Sequence, residues 1–171
     1  MPKSTYSVVA VLFVFIIVIS VFTYKSEDTI IQQAKETAEN TFLHEDIPAE
    51  NYQGEHLSFY LPGHMEVTEV DANNAILKNG DQTLIVFVNT LENNLSKLNF
   101  NEAQTEEAVL LESFENDEKF GYIRLLPTKD DKDVYEIQVG VGGVKITTYT
   151  EKTKVIEDTE NLMQTALSIA K

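Results

Sequence analysis

The sequence contains no cysteine. Disulfides, thiolate metal sites, iron–sulfur clusters, a cysteine nucleophile and a lipid-modified cysteine are all excluded. Histidine is scarce, at three residues, and Arg124 is the single arginine. The usual catalytic side chains are therefore in short supply. Positive charge is short as well: 13 Lys+Arg stand against 28 Asp+Glu, a net charge of −15. A protein that neutralises phosphates needs the opposite sign, so nucleic acid is not a partner. No G-x-S-x-G nucleophile elbow and no H-E-x-x-H occurs. Repeated βαβ units, the signature of a doubly wound nucleotide-binding sheet, are missing too. Acidic residues are so abundant that no pair stands out as an acid–base couple. No cofactor is implied.

Charge is also missing from one stretch near the start. Residues 6–24 read YSVVAVLFVFIIVISVFTY, without an ionisable Asp, Glu, Lys, Arg or His. A helix of this length spans about 28 Å, close to the ~30 Å hydrocarbon core of a bilayer. Tyr6 and Tyr24 sit where interfacial aromatics belong, and Lys25 follows. No A-x-A cleavage site follows the run, so it reads as an uncleaved signal-anchor contacting membrane lipid. Residues 1–5 form a short tail carrying Lys3. The positive-inside rule then favours a cytoplasmic N-terminus and an extracytoplasmic C-terminal domain. The expected location is the cell membrane, in a single pass. At 171 residues, one such segment leaves room for one modest domain.

Residues 25–44 read as a juxtamembrane amphipathic helix. Ser26 can cap it, Glu27 and Asp28 suit its N-terminus, and Ile30, Ile31, Ala34, Ala38 and Phe42 recur at helical spacing. The stripe is narrow and its two alanines are poor zipper residues, which favours folding back on the chain's own domain. Residues 45–55 (EDIPAENYQGE) are polar, contain Pro48 and Gly54, and read as a linker.

Residues 56–171 read as an α+β domain. Alternation or apolar runs mark strands at 56–61, 65–70, 75–78, 83–88, 108–114, 120–125, 134–139 and 144–149. Asn79-Gly80 and Gly142-Gly143 are hairpin signals. The run TLIVFV at 83–88 is continuously apolar, which predicts a central strand covered on both faces. Residues 89–106 read as a long loop with a helical turn. A closing helix over 154–170 places Val155, Leu162, Ala166 and Ile169 on one face. The predicted fold is a mostly antiparallel sheet of seven or eight strands with a C-terminal helix packed on it.

The segment LSFYLPGHMEVTEVDANNAILKNG, the run LIVFVN and the stretch VYEIQVGVGGVKITTYT before a terminal helix resemble the PsbP/Mog1-type α-β-α domains. The resemblance covers residues 56–171 and lies in topology and spacing. It implies a helix-covered sheet and an accessory or binding role, and it carries over no catalytic residue. With its anchor and cysteine-free acidic domain, the whole chain resembles single-pass surface proteins of Bacillus-like bacteria.

Three constellations invite a chemical reading. His44, His56 and His64 each lie near an acid, a ligand type suited to zinc. Their spacings of twelve and eight match no metal motif, and exposed histidines beside a polar linker explain them as well. Asp130-Asp131-Lys132-Asp133 offers oxygens but lacks the glycine and distant glutamate of a calcium loop; a solvated turn is expected. Gly140-x-Gly142-Gly143 is followed by a strand pattern, so no helix N-terminus is there to hold a phosphate. The expected function is a membrane-anchored, non-catalytic accessory or binding module engaging a protein or envelope partner. One alternative is an envelope hydrolase or metal-dependent enzyme using the region from His44 to His64. Another is a structural or assembly protein acting through its N-terminal helices. After residue 24 the balance is twelve Lys+Arg to 28 Asp+Glu, or −16, which favours a basic partner or cations.

Overall fold

The computed structural model describes residues 8, 9, 11–15, 26–44 and 46–170. The proposed anchor over 6–24 lies outside them except for Val8, Val9 and residues 11–15, which are helical and exposed. Among the described residues no helix is long and apolar enough to cross a membrane.

The fold is α+β. Its main sheet has seven antiparallel strands in the order β3-β4-β5-β9-β8-β7-β6. They are β3 (Glu66–Val70), β4 (Asn74–Asn79), β5 (Gln82–Val88), β6 (Leu110–Glu115), β7 (Phe120–Pro127), β8 (Val134–Val141) and β9 (Val144–Glu151). β1 (Tyr52–Gln53) and β2 (Ser58–Phe59) form a separate two-stranded sheet. The helices are α1 (Glu27–His44), α2 (Leu98–Glu102) and α3 (Val155–Ile169).

Both tight hairpins of the sheet use glycine at a left-handed position. Gly80 has φ +59° and Gly142 has φ +53°, while no other residue type has positive φ among the described residues. Asn79 pairs with Gln82, so the loop is Gly80-Asp81, one residue later than the Asn79-Gly80 signal implies. A left-handed glycine at the first central position is the type II′ pattern, which matches the twist of the flanking strands.

One face of the sheet is closed by the two long helices. Ala75, Leu77, Leu84, Val86, Ile123, Leu125, Ile137, Val139 and Ile146 alternate inward and are at most 1% exposed. α3 packs on β8 and β9, α1 packs on β6 and β7, and the two helices pack on each other. Ser26 caps α1 by accepting from the Thr29 amide at 3.3 Å. The stripe of α1 then enters the domain's own core: Ile30, Ala34, Ala38 and Phe42 are buried with the sheet residues, and Ile31 is partly covered. Phe42 lies over Gly121, where a Cβ would come within 2.6 Å of its ring. A glycine in β7 is what lets this helix settle on the sheet. Two polar ties hold α1, one at its first residue and one near its middle: Tyr135 donates to Glu27 at 2.7 Å, and Lys35 donates to Glu112 at 2.6 Å.

Several expectations need correction. The segment 45–55 is not wholly a linker, since Tyr52 and Gln53 pair with Phe59 and Ser58. The first predicted strand does not join the main sheet. Asn51 holds Leu61 through two hydrogen bonds of 2.7 and 2.8 Å, and the Tyr60 amide donates to Ser168 of α3 at 2.8 Å. That segment therefore lies against the helix layer. Residues 56–171 do not make up the compact unit by themselves, because α1 supplies Ile30, Ala34, Ala38 and Phe42 to the same core. β5 is third from the sheet edge and is not covered on both faces: Leu84, Val86 and Val88 are buried, but Ile85 is 53% exposed. The reason is that the five-residue α2 is the helix described over that side, and its cluster is made with Phe120 and Tyr122 of β7 and Leu111 of β6 rather than with β5.

Candidate functional site

The second face of the sheet divides into a covered part and an open part. In the covered part, Phe100 of α2 stands edge-on to Phe120 at 5.4 Å and to Tyr122 at 5.7 Å between ring centroids. Ala103 closes the cluster, and Asn99 donates to the Gly142 carbonyl at 3.2 Å. Gly140 makes room for Tyr122, since a Cβ there would lie 2.2 Å from a ring carbon.

The strand register lays the open part out in rows. Glu69 pairs with Ile76, Ile76 with Ile85, Ile85 with Thr147, Thr147 with Gln138 and Gln138 with Arg124. Directly paired residues in an antiparallel sheet point to the same side. One row is therefore acidic at the β3 edge, apolar in the middle and polar toward β7. In the neighbouring row Glu66 pairs with Lys78 and Lys78 with Thr83, while Tyr149 pairs with Glu136. Ile85 is 53% and Tyr149 61% exposed, large values for apolar side chains within a sheet.

The polar side of this face is tied up internally. Tyr122 donates to Gln138 at 2.9 Å, and Gln138 donates onward to Thr147 at 3.2 Å. Burial pushes the Tyr122 phenol well above its usual range, against the opposing pull of Arg124. Arg124 is ion-paired with Glu136 and also donates to the Ala103 carbonyl at 3.4 Å, while its buried Nε has no hydrogen-bond partner among the described residues. Lys145 lies 5.5 Å from the Phe87 ring centroid and 3.9 Å from Glu102. Each of these cations is thus engaged by a neighbouring acid. What remains available is an apolar centre at Ile85 and Tyr149 with Ile76 and Phe87 half-buried beside it. Such a surface can bury contact area against a partner.

A second polar cluster lies at the start of α3. Asp158 is 2% exposed and accepts hydrogen bonds from Thr150 at 2.5 Å and Gln82 at 2.9 Å. Its carboxylate also sits in the first turn of the helix, where the backbone favours negative charge. The cluster fastens β5, β9 and α3 together and is fully occupied in doing so.

The predicted metal candidates are dispersed. His44 ends α1, His56 lies in the bend between β1 and β2, and His64 lies in the turn before β3; all three are exposed. Among the described residues no group of three or more His, Asp or Glu is placed to hold a metal ion. His56 does approach Asp71, whose carboxyl is held below the usual range, first by hydrogen bonds from Asn73 and Asn74 and also by His56. The Asp130–Asp133 segment is a turn: Thr128 donates to the Asp131 carbonyl at 2.7 Å, and the Asp131 carboxylate caps the Asp133 amide at 2.9 Å. Gly142-Gly143 leads into β9, as the strand pattern implies.

Sequence reasoning missed the open face. The available signal was in β9, where Lys145, Thr147 and Tyr149 alternate with Val144, Ile146 and Thr148. That alternation marks one solvated side, and the continuous apolar run of β5 concealed it. Comparison of the chain with known protein families, with curated proteins and with solved structures finds no match.

Proposed function

We propose that this chain is a membrane-anchored, extracytoplasmic, non-catalytic binding module whose working surface is the open face of the sheet. The observation that carries the reading is the exposure of Ile85 and Tyr149 on a sheet whose opposite face is closed by two helices. The uncharged run over residues 6–24 supports the anchor. The order helix, antiparallel sheet, helix supports the PsbP/Mog1-type reading of the domain. The apolar stripe of α1 is spent on the domain's own core, so an assembly role through that helix has little surface left to use.

The test is fractionation of the full chain expressed in a Gram-positive host, with N-terminal sequencing of the membrane-bound product. Recovery in the membrane with an intact N-terminus is expected. A mature N-terminus between about Ser20 and Ser26 overturns the anchor. Partner capture from membranes, with the variant lacking residues 1–24 as control, then tests the binding role.

A further inference from the structure

We infer that the open face takes up a basic, amphipathic polypeptide segment from a partner protein. An apolar side chain would seat against Ile85 and Tyr149, and Lys or Arg would lie against Glu66 and Glu69. The inference deepens the binding reading above and is independent of the anchor.

The argument begins with the rows of the sheet. Glu69, Ile76 and Ile85 are consecutive partners across β3, β4 and β5, so an acid borders the apolar centre on the same side. Glu66 occupies the next outward position of β3, and both glutamates are exposed. Neither enters an ion pair with the described residues. At the opposite border Arg124 and Lys145 are already engaged by Glu136 and Glu102. The uncommitted charge around the apolar centre is thus chiefly negative, with Lys78 opposite Glu66 as the one exposed cation in that corner.

This pattern selects among occupants. A second copy of the chain would bring another net charge of −15 and the same acidic border, so self-association is opposed. Anionic polymers and lipid headgroups are opposed for the same reason. A segment with alternating apolar and basic residues matches both the hydrophobic centre and the charge around it. Charge attraction would speed the encounter, and burial of the apolar side chain would hold the complex.

The chain's connectivity also places this face. Tyr149 pairs with Glu136, and the adjacent Tyr135 donates to Glu27 on the other side of the sheet. Three residue steps separate Glu27 from Tyr24, a reach of about 11 Å at most. Tyr149 therefore lies toward the end of the sheet that holds Glu27, and Ile85 lies at the middle of β5. With the anchor in a bilayer, a partner segment has to be presented close to the membrane surface.

The test uses the full chain in zwitterionic lipid nanodiscs, with two acetylated octapeptides as probes: alternating Lys-Ile and alternating Glu-Ile. Binding is followed by methyl NMR of the isoleucines and by fluorescence anisotropy. The Lys-Ile peptide should shift Ile76 and Ile85 and bind at least tenfold more weakly to Ile85→Asp, to Tyr149→Ser and to Glu66→Lys/Glu69→Lys. Two independent apolar variants guard against a loss of fold in one of them, which thermal unfolding would reveal. The Glu-Ile peptide should not bind. Equal affinity for all folded variants would overturn the inference, because attraction to bulk negative charge would then suffice. Concentration-dependent self-association abolished by Ile85→Asp would overturn it in favour of a second copy. Failure of the chain to enter nanodiscs would defeat the anchor alone, and the same titration on the free chain would still decide the surface.

Discussion

On β5, Leu84 and Val86 are buried in the main core, while Ile85, lying between them in sequence, is 53% exposed. On β9, Ile146 and Thr148 are buried while Tyr149 is 61% exposed. The two faces are made by the same strands and differ in what was laid over them. α1 and α3 lie on the first face with 18 and 15 residues of helix, whereas the five-residue α2 covers the β6–β7 side of the second. Strand composition alone therefore does not decide burial. The length and destination of the connecting segments do.

The strongest way to break this comparison is to remove one cover. Residues 46–171 expressed alone lack Ile30, Ala34, Ala38 and Phe42, all members of the main core. Loss of a cooperative urea transition is expected, because the inward residues of β6 and β7 would meet water. A cooperative transition in that fragment would show that α1 is dispensable to the covered face. A smaller perturbation probes the face itself. Leu84→Ala, at a site 1% exposed, should cost about 2–5 kcal/mol through lost burial and a residual cavity. Gly121→Ala tests how α1 is seated. The added Cβ would stand 2.6 Å from the Phe42 ring, and overpacking of this kind costs about 1–3 kcal/mol. Phe42→Ala in the same background should recover part of the Gly121→Ala loss, a coupling that a double-mutant cycle would measure.

Much of the covered half was legible in the sequence, because its signals are local and repeated. The spacing of Ile30, Ala34, Ala38 and Phe42 gave the helix and its buried stripe. The strands of the main sheet follow alternation and turn residues to within about two residues, the usual scatter of element ends. The open half was not legible, because a run such as TLIVFV has the same composition whether one or both of its faces are covered. Whether α2 reaches β5 or stops at β7 depends on long-range packing, and no local pattern in residues 89–106 encodes it. The partners of Asp158 were hidden for a similar reason. Asp158 lies in the first turn of α3, but its donors Gln82 and Thr150 come from strands 76 and 8 residues away in the chain. The histidines failed as a group because nearness in sequence did not become nearness in space.

The open face predicts the smaller stability effects. Phe87 was expected to be a core residue; it is half-buried beneath Lys145, so Phe87→Ala should cost about 1–2 kcal/mol, including a modest cation–π contribution. Ile85→Ala should cost about 1 kcal/mol or less, as expected for a half-exposed side chain. Urea melts of Leu84→Ala and Ile85→Ala form the direct pair. Similar losses at these adjacent positions would mean that β5 is covered on both sides and that no open face exists.

The smallest effect at neutral pH separates the faces by their buried tyrosines. Tyr135 lies on the helix-covered face and Tyr122 beneath α2; each is 1% exposed. Burial raises both phenols well above the ordinary value, and for Tyr135 the hydrogen bond to Glu27 adds to the shift. A raised folded-state pKa means that the neutral phenol is favoured by folding. The associated stability is present in full below the unfolded value of about 10 and is lost as pH rises above it. Urea stability should therefore be flat across neutral pH and fall above about pH 10. Tyr122→Phe and Tyr135→Phe should each soften that fall, since phenylalanine has no proton to lose. They should differ at neutral pH. Tyr135→Phe removes the tie that holds the first turn of α1, whereas Tyr122→Phe removes a bond to Gln138 on the other face. Amide hydrogen exchange in α1 should rise only in Tyr135→Phe. An equal rise in both variants would show that the two faces are coupled through the sheet and do not respond independently.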